Sequence, residues 1–170
     1  MMTISSTLGN IFHDKKWSES FKKASKSNIF ETLKLSRSDL EKTRLRAKTD
    51  KGTELGIVLN LASKMHNGDV LISNSEKFII VQQNPEKVIS VKIKDKIEAN
   101  RKEILILLGH IIGNRHRPIQ IADEEIIFPI LSESEFDIFK KLFSGIINHI
   151  DMKIEERIFE SHGEMNVHEH

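Results

Sequence analysis

The stretch from residue 108 to residue 119 combines side chains that can do chemistry with residues that fix the backbone. It reads Leu-Gly-His-Ile-Ile-Gly-Asn-Arg-His-Arg-Pro-Ile. Gly113 and Asn114 tolerate the left-handed conformation that ends many helices, and Pro118 prevents the helix from resuming. The pattern therefore predicts a short, stiff connector between a helix and a strand, with His116 on it at the surface.

An exposed imidazole at His116 could ligate a divalent metal ion. The chain has no cysteine, so any metal site must use nitrogen and oxygen ligands. One imidazole alone is a poor site, because Ni²⁺ and Zn²⁺ take about four to six ligands. In a homodimer, however, one His116 from each chain could converge on a single ion. A histidine between two arginines at a helix end is more often a capping or surface residue, so the residues alone leave both interpretations open.

Composition narrows the class of protein. The chain has 170 residues, of which 38% are hydrophobic and 30% charged, which suits one ordinary domain or two small ones. The absence of cysteine excludes disulfides, thiolate nucleophiles and zinc fingers. The longest apolar runs are too short for a membrane-spanning helix, and the first residues do not resemble a signal peptide. We expect a soluble, cytoplasmic protein with no membrane partner.

The charges are unevenly distributed, although the net charge is only +1. Residues 1–51 carry twelve basic and six acidic side chains. Residues 149–170 carry two basic and six acidic side chains, together with four of the eight histidines. A basic first part and an acidic, histidine-bearing last part favour different partners.

The first half of the chain reads as short strands joined by turns. Residues 43–59 alternate around a polar turn, and the apolar runs 70–72 and 78–81 flank another polar turn, which predicts two β-hairpins. Together they predict a small β-sandwich or barrel that ends near residue 84. Residues 1–40 give no clear pattern, and we expect short strands or turns around their isolated aromatic residues, Trp17, Phe21 and Phe30.

The second half predicts the order β-α-β-β-α-β, which is typical of the ferredoxin-like fold. The expected elements are a strand at 88–93, a helix capped by Asp95 and ending near Gly113, strands at 119–121 and 126–130, a helix at 136–147 and a last strand from 150. A capping box at Ser132 and Glu135, with a staple between Leu131 and Phe136, should begin the second helix. The expectation is an α+β fold with domains at 1–84 and 85–160 and a mobile tail at 161–170.

Three ordered blocks of the sequence resemble one protein family. Residues 108–118, Leu-Gly-His-x-x-Gly-Asn-Arg-His-x-Pro, are similar to the signature of the UreE family of urease accessory proteins, which are nickel metallochaperones. Upstream, Arg44-x-Arg46-x-x-Thr49-x-x-Gly52-x-x-x-Gly56-Ile57-x-Leu59 is similar to the N-terminal domain of that family, and Gly68-Asp69-Val70-Leu71 fits the turn and strand that follow. The resemblance covers roughly residues 40–120.

The resemblance implies a homodimer joined through the ferredoxin-like domains, in which His116 matches the interfacial metal-binding histidine. It implies Ni²⁺ as the bound ion, with Zn²⁺ or Cu²⁺ as alternatives at the same site. It also implies delivery to the urease apoprotein through a complex with the urease accessory GTPase (UreG), with the N-terminal domain binding the partner. The implied role is that of a metallochaperone, not an enzyme.

Other histidines are further candidate ligands, but their positions differ in part from the family pattern. His110 also matches the motif, and a packing role or a binding role remains open for it. Some family members carry extra histidines in the second ferredoxin-like strand, but residues 124–131 contain none here. The family's long histidine tail is reduced here to three residues, His162, His168 and His170. They could complete the coordination that His116 begins, or they could be incidental residues of a solvated terminus.

Two other classes of function compete with this interpretation. A nucleic-acid-binding ferredoxin-like module with a basic N-terminal face fits the charge distribution, but the chain lacks the aromatic-rich strand on which such domains stack bases. An enzyme with His116 as general base would need a nucleophile or a carboxylate partner at a recognisable spacing, and none is evident. We therefore expect neither catalysis nor nucleic-acid binding.

Overall fold

The chain is a mixed α/β protein that divides into two compact units after Asn84. A computed structural model describes residues 1–94 and 100–160. In that part of the chain, eleven strands form three sheets and four α-helices accompany them. Among the described residues, no helix has the length and apolar character that a membrane crossing requires.

The first unit contains two sheets that share one hydrophobic core. Its elements are β1 (Met2–Ile4), β2 (Gly9–Asn10), α1 (Lys15–Lys26), β3 (Phe30–Leu35), α2 (Arg37–Leu40), β4 (Arg44–Lys48), β5 (Glu54–Val58), β6 (Asp69–Ser73) and β7 (Phe78–Gln83). One sheet has the order β1-β5-β4 and the other the order β2-β6-β7-β3. Leu55 and Ile57 of the first sheet pack in the same cluster as Leu33 and Ile79 of the second.

Both predicted hairpins of this unit are confirmed. Strands β4 and β5 pair in antiparallel fashion, and Gly52 in their turn adopts a φ of 85°, which glycine reaches without strain. Strands β6 and β7 also pair in antiparallel fashion, with a shift of register between Val70 and Ile72. Alternating polarity was therefore a reliable signal for the first hairpin, and apolar runs on either side of a polar turn were reliable for the second.

The expectation of short strands or turns around Trp17 and Phe21 is wrong, because both residues lie on helix α1. Asp14 begins this helix by accepting a hydrogen bond from the Lys16 amide. The apolar positions 17, 21 and 24 recur at helical spacing, and they pack beside Phe78 of β7. The many lysines between them cover the solvent face of the helix and obscured its period.

The second unit has the element order β-α-β-β-α-β in its described residues. Its elements are β8 (Glu86–Ile93), α3 (Arg101–Asn114), β9 (Gln120–Ala122), β10 (Glu125–Pro129), α4 (Glu135–Leu142), a 3₁₀ turn (Ile147–His149) and β11 (Ile150–Arg157). The sheet order is β11-β8-β10-β9, and all neighbours are antiparallel. Both helices contribute to one core with the strands, through residues such as Leu108, Phe128 and Phe139. The predicted cap Asp95 lies outside the described residues.

The predicted start and end of α4 are wrong. The Glu135 amide donates to the backbone carbonyl of Ser132 at 3.1 Å, while the Ser132 hydroxyl bonds the hydroxyl of Ser134 instead, so no capping box forms. Leu131 is 85% exposed and therefore makes no staple. The helix ends at Leu142 instead of Ile147, because Ser144 and Gly145 favour helix weakly and the chain then tightens into the 3₁₀ turn.

Candidate metal centre

His116 occupies the left-handed position just beyond the end of helix α3. The helix continues through Gly113 and Asn114, so the expectation that these two residues adopt the left-handed conformation is wrong. His116 itself has a φ of 52°. Its amide donates to the Gly113 carbonyl at 2.8 Å, and the Arg117 amide donates to the Ile112 carbonyl at 3.4 Å. These two bonds form the Schellman motif, which closes the helix with His116 at the position after the cap.

A histidine in this position makes the folded chain less stable than a glycine would. The left-handed conformation brings Cβ close to the carbonyl oxygen and disfavours a side chain by about 1–2 kcal/mol. Glycine is the usual residue here because it has no Cβ. The backbone of the connector therefore favours glycine over histidine at residue 116, where the imidazole is exposed.

Arg117 attaches the connector after α3 to the start of helix α4. Its guanidinium Nη2 lies 2.8 Å from Oε2 of Glu135 at the start of α4, and both side chains are largely buried. The other carboxylate oxygen of Glu135 accepts a hydrogen bond from the Leu131 amide at 3.3 Å. This ion pair neutralises one of the two arginines beside His116 and ties the connector to the second helix. Nothing in the spacing of the sequence identifies it, because the partners lie far apart in the chain.

His110 projects from the exposed face of α3, and its ring is already engaged. Its Nε2 lies 3.0 Å from the side-chain amide of Asn114, one turn further along the helix. Because the amide nitrogen can only donate, Nε2 accepts this hydrogen bond and Nδ1 carries the ring proton, so a metal at Nε2 would have to displace the amide. Asn114 thus contacts a histidine as well as continuing the helix.

The described part of one chain does not assemble a complete metal site. Within residues 1–94 and 100–160, no three histidine, aspartate or glutamate side chains form a group that could hold a metal ion. The other candidates, His162, His168 and His170, lie outside the described residues. His116 is consequently a single exposed donor, and further ligands to it would come from the tail or from a second chain.

Helix α3 is unusually apolar on the side that its own unit leaves uncovered. Leu105, Ile106 and Leu107 are exposed, and Ile106 retains 70% of its surface. Gly109 and Gly113 lie on the same helix, and a Cβ added to either would meet no atom of the described chain within 4 Å. Two glycines inside a helix lower its stability by about 1 kcal/mol each relative to alanine, and no packing within the described unit requires them.

Comparison with known proteins identifies the family. Residues 4–83 match the family described as UreE urease accessory protein, N-terminal domain. The chain is 33% identical over 134 residues to the urease accessory protein UreE of Staphylococcus epidermidis. These residues cover 77% of this chain and 82% of that relative. It is 32% identical over 112 residues to urease accessory protein UreE 1 of Pseudomonas syringae pv. tomato, covering 66% of this chain and 72% of that relative. The chain belongs to the UreE family of urease accessory proteins.

Proposed function

We propose that this chain is a nickel metallochaperone that holds Ni²⁺ between the two His116 side chains of a homodimer and delivers it for assembly of the urease nickel site. One observation carries the proposal: an exposed imidazole stands at the left-handed position after α3, where the backbone favours glycine. The ion is cargo in this role and no reaction is catalysed. Zn²⁺ or Cu²⁺ would compete for the same nitrogen ligands.

In this proposal, two-fold symmetry supplies the additional metal ligands that one chain lacks. A two-fold interface brings a residue that lies near its axis close to the same residue of the other chain, so a His116 near the axis would place two imidazoles at the ion. The negative end of the α3 dipole, next to His116, favours a cation there. His162, His168 and His170 provide the remaining ligands in this proposal, and Nε2 of His110 is a further ligand if it gives up its hydrogen bond to Asn114. Ligands from the last ten residues could be exchanged stepwise, which would allow release to a recipient.

The exposed face of α3 is the proposed dimer contact. Its apolar side chains, led by Ile106, favour burial against another surface. Gly109 and Gly113 would let a second helix approach closely, which accounts for two residues that the described unit does not need. The element order and the β11-β8-β10-β9 sheet support a ferredoxin-like assignment for this dimerising unit. The first unit then binds the partner, the urease apoprotein complex with the accessory GTPase.

Metal titration of the purified full-length protein tests this function. Calorimetry should show a tightest site with about half an ion per chain, as a bridging site requires. His116→Ala should remove that site, whereas the matched control His13→Ala, which removes another exposed histidine, should keep it. Equal nickel affinity and stoichiometry in the two variants would overturn the assignment of His116.

A further inference from the structure

The outer face of the sheet β1-β5-β4 carries a groove of about 360 Å³. Gly56 of β5 forms its floor, with Arg46 of β4 opposite on one side and Thr3 of β1 on the other. Arg44 and Val58 face each other one step further along, and Met1 closes the opposite end. The groove thus contains Arg44, Arg46 and Gly56, three residues of the upstream family motif that nickel binding does not use.

The two arginines are free to bind an anion. Both side chains are exposed, and neither forms an ion pair among the residues that the structure describes. The Glu54 carboxylate lies near enough to feel the charge of Arg46, although its lowered pKa is due mainly to its hydrogen bond with Lys48. Lys48, the next residue on the same strand face, differs because its Nζ lies 2.8 Å from Oε1 of Glu54. An unpaired guanidinium can form two parallel hydrogen bonds with a carboxylate, which is the strongest pairing open to it in water. The groove is therefore selectively cationic at residues 44 and 46.

Gly56 keeps the floor of the groove low. Its φ is not in the left-handed region, so the backbone does not require glycine. The atoms nearest to a Cβ added at this position belong to the flexible Met1 side chain, at 3.4 Å or more, which is ordinary contact. Glycine inside a strand weakens it and often marks a place where a ligand or another backbone approaches closely. Glycine at this position therefore leaves space above β5, part of which the flexible Met1 side chain occupies.

We propose that this groove binds an extended acidic segment of a protein partner, with its carboxylates on Arg44 and Arg46. This inference rests on the proposed role of the first unit in partner binding. It adds that the partner binds in the groove and that carboxylates are the groups recognised there. Arg44 and Arg46 are two residues apart on one strand face, about 6.5–7 Å along the strand, which matches alternate side chains of an extended segment. None of the described lining residues is aromatic, so the groove offers no platform for stacking nucleic-acid bases.

The test uses full-length, metal-free protein and a fluorescein-labelled peptide that alternates glutamate with threonine, measured by fluorescence anisotropy. Arg44→Gln and Arg46→Gln should each weaken binding about 10-fold, because each removes a charge-assisted pair. The matched control Lys48→Gln removes one charge from the same strand face but from a residue already paired, and should change binding less than about 2-fold. The same peptide with glutamine in place of glutamate should not bind.

The variant Gly56→Val tests the shape of the groove while leaving the charges of Arg44 and Arg46 in place. The added side chain fills the floor and should abolish peptide binding while leaving the melting temperature equal or higher, since valine favours strands. The proposal is overturned if no variant changes peptide binding, if Lys48→Gln weakens it as much as the arginine variants, or if an oligothymidylate binds more tightly than the peptide. Nickel titration of the same variants should be unchanged, so a failure here is distinct from a failure of the His116 site.

Discussion

In the proposed function, His116 has to satisfy a backbone position and a metal ligand that have opposite preferences. The Schellman bonds of Arg117 and His116 to the last turn of α3 would form at least as well with glycine at residue 116. An imidazole there lowers the stability of the apoprotein and fixes the donor at a rigid point. Natural proteins tolerate such local strain where function depends on it.

Replacing this histidine with glycine should therefore separate stability from metal binding. His116→Gly should raise the free energy of unfolding of the metal-free protein by about 1 kcal/mol and abolish the tightest nickel site. Thermal unfolding by circular dichroism and calorimetric titration measure the two effects. The same change at a helical position, His110→Gly, should instead lower stability by about 1 kcal/mol. Equal destabilisation by both variants would show that residue 116 is not strained.

At the scale of secondary structure, the sequence predicts strands better than helix ends. The first hairpin follows from alternating polarity around a polar turn, and the second from two apolar runs that flank a polar turn and form strands buried on both faces. The hydrogen bonds that close a helix are not visible in the spacing: α3 ends at Asn114, one residue from the expected Gly113, but the left-handed residue beyond it is His116. The connector after α3 lies where the sequence predicts it, whereas the ion pair between Arg117 and Glu135 depends on tertiary packing.

Strand β3 carries a buried carboxylate that should make the first unit sensitive to acid. Glu31 accepts hydrogen bonds from Lys77, just before β7, at 2.9 Å and from Thr49 beside the β4–β5 turn. Burial raises the pKa of Glu31, but these hydrogen bonds, one from Thr53 and the charge of Lys77 outweigh burial and lower the pKa from 4.5 to about 2. The folded form therefore binds this proton less readily than the unfolded form.

Because the folded pKa is depressed, the stabilisation by Glu31 is complete above about pH 4.5 and is lost as the pH falls towards 2. It amounts to at most about 3 kcal/mol. Glu31→Gln should remove this part of the pH dependence, while Glu54→Gln, at an exposed ion pair with Lys48, should remove much less. Denaturant unfolding followed by the fluorescence of Trp17, the single tryptophan, reports on this unit. Parallel pH profiles of wild type and Glu31→Gln would contradict the prediction.

The exposed face of α3 leads to a prediction about assembly. Ile106→Glu should convert the dimer to a monomer, because a carboxylate would have to be buried at the contact without a partner. Leu61→Glu is the matched control, since Leu61 is 96% exposed but lies in the first unit, outside α3. Light scattering gives the mass of each variant. A dimeric Ile106→Glu protein would place the contact elsewhere, and a monomer that still binds half an ion per chain would contradict a bridging site.

At the scale of the whole molecule, the two units divide the proposed work. Each has its own hydrophobic cores, and the basic charge concentrates in the first while acidic residues and histidines concentrate at the end of the second. The cationic groove and the exposed imidazole consequently belong to different units. In the proposed function, partner binding and metal binding thus depend on residues of different units.

The last histidines should contribute to the affinity for nickel but not to the fold. Phe159 is fully buried against Val88 and Ile127, so a chain that ends after Glu160 keeps its core. This truncation should leave the dimer and the bridging stoichiometry intact and weaken nickel binding by about 10-fold or more, because the ion loses imidazole ligands. A full-length variant with glutamine at positions 162, 168 and 170 should behave in the same way, which separates loss of imidazoles from loss of length. Unchanged affinity in both proteins, measured by calorimetry, would dismiss the tail as a source of ligands and leave coordination to His116, His110 and water.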